Sequence, residues 1–212
     1  MKQIRLIIVM LSLLTLPFFS AAQYDSLLIE RLGVFGPLQF QNKTFNLMRT
    51  SYVPDSATCN TFKQEYFAAG ESLDTFRNMM VIHVFTGPNM NLEDVANAKL
   101  DELRELQKMN PVVNWQTFNN KKTGEFMIDF LTSENSADGQ YIDMAERTIY
   151  RYVMVTAKSG EECGVLLGVI VRAYGDDVDP FMAALKTKTK VDLIRAIGTF
   201  KIPEITIAKQ AQ

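Results

Sequence analysis

The N-terminus has the three-part pattern of a secretory signal peptide, and this pattern decides how much of the chain is left to fold. Lys2 and Arg5 supply positive charge, an apolar stretch covers residues 6–19, and Ser20-Ala21-Ala22 is a small-residue cleavage site. The apolar stretch has 14 residues, fewer than the roughly 20 that a membrane-spanning helix needs. We therefore predict cleavage after Ala22 and export, to the periplasm of a Gram-negative bacterium or to the medium, with no membrane span in the mature protein.

Residues 23–212 then have the size of one domain. They number 190, and a chain of this length buries enough surface to fold without disulfides or metals. Removal of Lys2 and Arg5 leaves 20 basic against 24 acidic residues, with no basic cluster. Because nucleic acid is bound by grouped Lys and Arg side chains, this charge pattern argues against a nucleic-acid partner.

Hydrophobic patterning predicts a mixture of strands and helices in this domain. A helix is expected over residues 92–108, where Asn91 can act as the N-cap, and a further helical stretch begins at Asp179 and Pro180. Strands are expected over residues 38–53, 61–67, 79–85, 112–118, 125–131, 147–157 and 164–174. We therefore predict a single α+β domain, a mostly antiparallel sheet with helices packed on its faces.

This order of elements resembles the Mog1/PsbP-like fold, and so does one stretch of sequence. Residues 65–72, which read Glu-Tyr-Phe-Ala-Ala-Gly-Glu-Ser, are followed by Phe76 and Met79. They are similar to the segment that enters the central strand in uncharacterised exported bacterial proteins of that shape, with Phe76 in place of the usual Trp. The resemblance implies a binding or assembly factor, and it implies no catalytic residue.

Two cysteines, Cys59 and Cys163, are present in a chain that we expect to enter an oxidising compartment. A disulfide between them would close a loop of about 100 residues and add up to ~4.7 kcal/mol in the chain-entropy model. The spacing alone is equally compatible with two separate buried thiols. Both alternatives stay open at this point.

His83 is the only histidine of the chain and lies in the predicted apolar strand of residues 79–85. A hydrolase would have to use it as the general base, with Cys59 or Cys163 as a possible nucleophile. Its position in a strand favours the simpler interpretation of a histidine hydrogen-bonded within the sheet. Zinc is not expected, because His83 and the two cysteines are too few and too scattered for a closed site.

The sequence therefore predicts an exported, non-catalytic binding or assembly module of the bacterial envelope, without a metal or cofactor. Its partner would be an envelope protein or a small ligand, and Phe76 and His83 are the candidate ligand face. A binding protein should have a polar-lined cavity around these residues rather than a sealed core. The alternatives are a small periplasmic hydrolase that uses His83 and a purely structural surface protein.

Overall fold

The computed structural model describes residues 32–53, 60–88 and 90–207. Within these ranges the chain forms eight strands and three α-helices. The strands are β1 (Leu38–Phe40), β2 (Lys43–Val53), β3 (Asn60–Ala68), β4 (Asn78–Thr86), β5 (Asn114–Asn120), β6 (Glu125–Asn135), β7 (Ile142–Thr156) and β8 (Glu162–Tyr174). The helices are α1 (Leu92–Met109), α2 (Val178–Ala184) and α3 (Lys188–Thr199). The predicted signal peptide lies outside the described residues and stays a prediction.

All eight strands belong to one antiparallel sheet, in the spatial order β1-β2-β3-β4-β8-β7-β6-β5. In each half of the sheet, β1–β4 and β5–β8, every strand pairs with its neighbour in sequence. α1 connects β4 to β5 at the opposite edge, and the chain then returns strand by strand until β8 pairs with β4. The β4–β8 pairing is therefore the seam at which the two halves of the chain meet.

One face of the sheet is covered by α3 and by two segments that are neither helix nor strand. Val34 lies in the segment 33–37 and is 3% exposed, and Ile205 lies in the segment 200–207 and is 2% exposed. Both join Ile197 of α3 in a hydrophobic cluster with residues of β2, β3, β4, β7 and β8. Extended chain therefore provides much of the cover on this side.

The other face is covered by α1, which has the capping and spacing of an amphipathic helix. The Asn91 side chain accepts a hydrogen bond from the backbone N–H of Glu93 at 3.0 Å, and so satisfies a free donor at the helix N-terminus. Ala96, Leu100 and Leu103 are buried at helical spacing. They pack in a second cluster against residues of β4, β6, β7 and β8.

Two arginines of β7 fasten α3 to the sheet. Arg147 forms a bidentate ion pair with Asp129, with both side chains less than 5% exposed, and it also donates to the carbonyl of Lys190 at 3.0 Å. Arg151 donates to the carbonyl of Phe200 at 2.8 Å, just beyond the C-terminal end of α3. The guanidinium groups thus tie the first turn of α3 and the residue that follows its last turn to the sheet.

The predicted arrangement of helices packed on the faces of a Mog1/PsbP-like sheet is wrong. The structure is a curled antiparallel sheet of eight strands, with 47% strand and 23% helix, and its three helices are short. One reason is that the strands are longer than predicted, because β7 has 15 residues and β8 has 13. The other is that extended segments rather than helices cover much of one face. No helix among the described residues is long and apolar enough to cross a membrane.

Candidate functional site

A groove of about 380 Å³ lies on the α1 side of the sheet, across the β4–β8 seam. We call it the His83 groove. Its floor comes from strands β3, β4, β7 and β8, and the loop between β3 and β4 closes one end. Its polar and aromatic lining residues are Lys63, Glu65, Phe76, His83, Glu146, Tyr150 and Arg172. The two residues predicted as a ligand face, Phe76 and His83, therefore line one cavity.

The loop that carries Phe76 is held by a carboxylate and by a phenol. Glu71 accepts hydrogen bonds from the backbone N–H groups of Arg77 at 2.9 Å and of Asn78 at 2.7 Å. Tyr174 donates its hydroxyl proton to the carbonyl of Phe76 at 3.1 Å. Because these bonds fix the peptide groups that follow Phe76, they hold its backbone at the end of the groove.

The Phe76 ring is itself packed between an aromatic ring and a cation. It contacts the Phe67 ring edge to face, with the two ring centroids 5.1 Å apart. The Cζ atom of Arg172 lies 4.0 Å from the centroid of the Phe76 ring. Arg172 is in turn paired with Glu146 at 2.5 Å. The cation at this end of the groove is therefore already neutralised by a partner within the protein.

His83 lies opposite Lys63 of β3 and opposite Leu166 of β8, with its side chain partly buried. Burial lowers the pKa of His83 to about 3, and the positive charges of Lys63 and Lys99 act in the same direction. The imidazole is therefore neutral at pH 7, and no hydrogen bond joins it to any residue that the structure describes. A neutral imidazole offers one N–H donor and one nitrogen acceptor.

Glu65 is a buried carboxylate, and one of its two oxygen atoms has no hydrogen-bond partner in the described parts of the chain. Its side chain is 8% exposed, and Lys63 forms an ion pair with its Oε1 atom. The Oε2 atom is buried and has no hydrogen-bond partner within the described parts of the chain. The nearest cation is Arg49, whose Nε atom lies 3.8 Å from Oε2 and whose side chain is 59% exposed. This distance is too long for a hydrogen bond.

Tyr150 forms the wall between the groove and α1. Its ring covers Gly168, where an added Cβ would lie 2.9 Å from the ring and 2.4 Å from Val81. Only glycine leaves room for the ring at this position. Burial raises the pKa of the Tyr150 hydroxyl, and so do the negative charges of Glu146, Glu102 and Glu65 in decreasing order. The hydroxyl is therefore neutral and, like the imidazole, makes no hydrogen bond to a described residue.

The hydrolase interpretation needs a nucleophile beside His83, and Cys163 is not placed there. Cys163 is buried in the cluster on the opposite face of the sheet from His83. Burial, followed by the charge of Glu161, raises the pKa of its thiol to about 11. Cys59 lies outside the described residues, so a disulfide between the two cysteines stays a prediction. Among the residues described, no three His, Cys, Asp or Glu side chains are placed to hold a metal ion.

Sequence reasoning missed Glu65, Glu146 and Arg172 as groove residues. Each is a charged residue within a strand that is otherwise largely buried. Such a residue is a recognisable signal, because an ionised side chain is rarely placed on a buried surface without a partner. Which charges meet could not be predicted, because Arg172 and Glu146 lie 26 residues apart in the chain.

A family model matches residues 32–202, a span that contains all eight strands and all three helices described here. The chain belongs to this uncharacterised family. No curated protein and no solved structure matches the chain. The resemblance to Mog1/PsbP-like proteins is thus neither supported nor opposed by a relative, and it stays an expectation from the sequence.

Proposed function

We propose that this protein is an exported, non-catalytic binding module of the bacterial envelope, and that the His83 groove holds its ligand. One observation carries the proposal. The Oε2 atom of Glu65, a lining residue of this cavity, is buried without a hydrogen-bond partner in the described chain. His83 and Tyr150 line the same cavity, are only partly buried and make no hydrogen bond to a described residue, so both are open to a ligand.

Unsatisfied polar groups support binding because folded proteins avoid them. More than about 90% of buried polar groups have a partner, and leaving one unpaired costs roughly 1–3 kcal/mol. The Oε2 atom of Glu65 carries this cost, which a bound molecule that donates a hydrogen bond would remove. The apolar side chains of Phe76 and Tyr150 beside these groups add the packing surface that a bound molecule needs.

The same geometry gives less support to a hydrolase that uses His83. A general base works best when its pKa lies near the working pH, and burial holds the pKa of His83 far below that range. The thiol of Cys163 lies on the opposite face, out of reach of the imidazole. Replacement of His83 by Gln tests the remaining possibility, since any hydrolytic activity that survives H83Q cannot depend on the imidazole.

Export is supported by the sequence pattern of residues 1–22. We expect the protein isolated from the periplasm or medium to begin at Gln23. Intact-mass spectrometry of the exported protein measures this directly. A mass that includes Lys2 and Arg5 in the isolated protein would contradict cleavage.

Binding in the groove can be followed through two side chains that each occur once. His83 is the only histidine and Trp115 the only tryptophan, so the imidazole C2 proton and the indole N–H proton give single, assignable NMR signals. Trp115 lies on the edge strand β5, three strands beyond β8, and is the internal control.

With a library of small polar molecules we expect saturable shifts of the His83 signal and little movement of the Trp115 signal. Ligands that move only Trp115, or a library in which no compound moves His83, would contradict the proposal.

A further inference from the structure

We propose that the His83 groove selects an uncharged hydrogen-bonding group, a carboxamide or a hydroxyl, and discriminates against ammonium and carboxylate groups. This inference rests on the function proposed above and names the chemical class of the ligand. It follows from the pairing of the charges around the three unpartnered groups.

The acceptor in the groove has surroundings that disfavour a cation. The carboxylate of Glu65 already holds Lys63 at Oε1, and Arg49 lies 3.8 Å from Oε2. One negative charge therefore faces two positive ones. An ammonium group placed at Oε2 would have to approach both cations, whereas an amide N–H or a hydroxyl supplies the missing donor without added charge.

An anion finds no unpaired cation among the residues that line the groove, and the exposed Arg49, which is not one of them, already faces the carboxylate of Glu65. Lys63 is paired with Glu65, and Arg172 is paired with Glu146 at 2.5 Å. Lys99, which borders the groove from α1, is paired with Glu102 at 2.5 Å. A carboxylate would have to displace one of these partners or stand beside it, and both alternatives weaken its binding.

The remaining two groups are matched to a neutral ligand. The imidazole of His83 and the hydroxyl of Tyr150 are both uncharged at neutral pH, and each can donate one hydrogen bond and accept another. A carboxamide or hydroxyl has the same double capacity. Within this cavity it can therefore donate a hydrogen bond to one lining residue and accept one from another without bringing a charge.

Four probes that share a phenyl ring test this selectivity on the purified protein, namely benzamide, benzyl alcohol, benzylammonium and benzoate. Each is titrated to about 10 mM, where a ligand with a Kd of about 1 mM is ~90% bound, while the His83 imidazole signal is recorded. We expect benzamide or benzyl alcohol to bind at least about tenfold more tightly than either ion. The ranking of these two probes separates an amide ligand from a hydroxyl ligand.

Two variants and a control locate the selectivity. In Glu65→Gln we expect the better neutral probe to lose about tenfold in affinity, whereas Glu102→Gln removes the same charge beside the groove and should leave that affinity unchanged. In Arg49→Ala, a substitution of an exposed side chain, benzylammonium should gain several-fold because one of the two cations near Oε2 is gone. The wild-type ranking and the Arg49→Ala result stand even where Glu65→Gln does not fold.

The outcomes separate the two proposals. Tighter binding of benzylammonium or benzoate, seen as saturable shifts of His83 in the wild-type protein, would overturn the ligand class and leave a binding groove in place. Equal affinities of Glu65→Gln and the wild-type protein for the neutral probe would also overturn it. Absence of any His83 shift with all four probes would overturn the ligand class and count against the groove as a binding site.

Discussion

The stability of the protein should fall as the pH drops from neutrality, because the folded state keeps His83 uncharged. In the unfolded chain an imidazole has a pKa near 6.5, whereas burial lowers the pKa of His83 in the folded protein to about 3. The folded state therefore binds fewer protons than the unfolded state between these two values. The contribution of His83 to the free energy of unfolding is therefore complete above pH 6.5 and is lost progressively as the pH falls toward 3.

The size of the effect follows from the linkage relation. Between about pH 7 and pH 5 the unfolded imidazole goes from about one quarter protonated to almost fully protonated, whereas the folded one takes up almost no proton, so the free energy of unfolding should fall by about 2 kcal/mol. The limiting slope is about 1.4 kcal/mol per pH unit. This range lies above the usual pKa of carboxyl groups, and the chain has no second histidine. The slope can therefore be assigned to His83.

The assay is urea unfolding at a series of pH values, with the wild-type protein beside His83→Gln. The variant retains a polar side chain of similar size but has no group that titrates near neutrality, so its free energy of unfolding should change little over the same range. Comparison of the slopes removes any constant cost of the substitution. Direct titration of the His83 C2 proton should show no inflection above about pH 5 in the folded protein.

Two results would refute this reasoning. One is an inflection of the folded His83 signal near its ordinary pKa, which would mean that water and the carboxylates of Glu65 and Glu146 outweigh burial and the lysines. The other is an equal pH slope in His83→Gln and the wild-type protein, which would assign the slope to other groups.

Three further predictions concern the surroundings of the groove and the core. Gly168→Ala should lower the free energy of unfolding by about 1–3 kcal/mol in denaturant unfolding, because the new methyl group would displace the ring of Tyr150. The same substitution should also lower the affinity of the His83 groove for its ligands. Asp129→Ala should cost about 3–5 kcal/mol, because it leaves the buried guanidinium of Arg147 without its partner; a loss below ~1 kcal/mol would contradict that account. With the cysteines kept reduced, the Cys163 thiol should stay unreactive toward a disulfide reagent at pH 8 until denaturant is added.

Local sequence patterns were sufficient to predict the helices and strands whose caps and apolar spacing lie within a few residues of each other. The helix predicted over 92–108 is α1 (Leu92–Met109), and the Asn91 cap forms as expected. The strands predicted over 147–157 and 164–174 are β7 and β8, which extend over residues 142–156 and 162–174 and pair with each other. Capping and apolar spacing are encoded locally, so the sequence alone reveals them.

The turn between β1 and β2 escaped detection because its residues are not the usual ones. Residues 38–53 were predicted as one strand, whereas the structure turns at Gln41 and Asn42, both of which have positive φ. A two-residue hairpin loop of this kind commonly carries glycine. Without glycine, the alternating pattern of the strands on either side reads as continuous.

The candidate site could be predicted only in part, for a reason that lies in the topology. His83 was noticed because it interrupts an apolar strand, and Phe76 because it lies in the stretch that resembles Mog1/PsbP-like proteins. Their neighbours Tyr150 and Arg172 come from the other half of the chain. They meet only because β8 pairs with β4 after a long excursion through α1 and three strands. Pairings between residues so distant in sequence leave no local trace.

The position of the groove follows from how little of the sheet one helix can cover. A helix is about 10 Å thick and neighbouring strands are about 4.8 Å apart, so a single helix shields two or three strands of an eight-stranded sheet. α1 approaches β5 and β7 most closely, and the part of the sheet that carries Lys63, Glu65 and His83 is left as an open groove. A polar surface is needed where the groove opens to water, yet an unpaired charge there would be partly buried. Paired charges such as Lys63 and Glu65 resolve this conflict, and the one oxygen they leave unpartnered is the feature that a ligand can use.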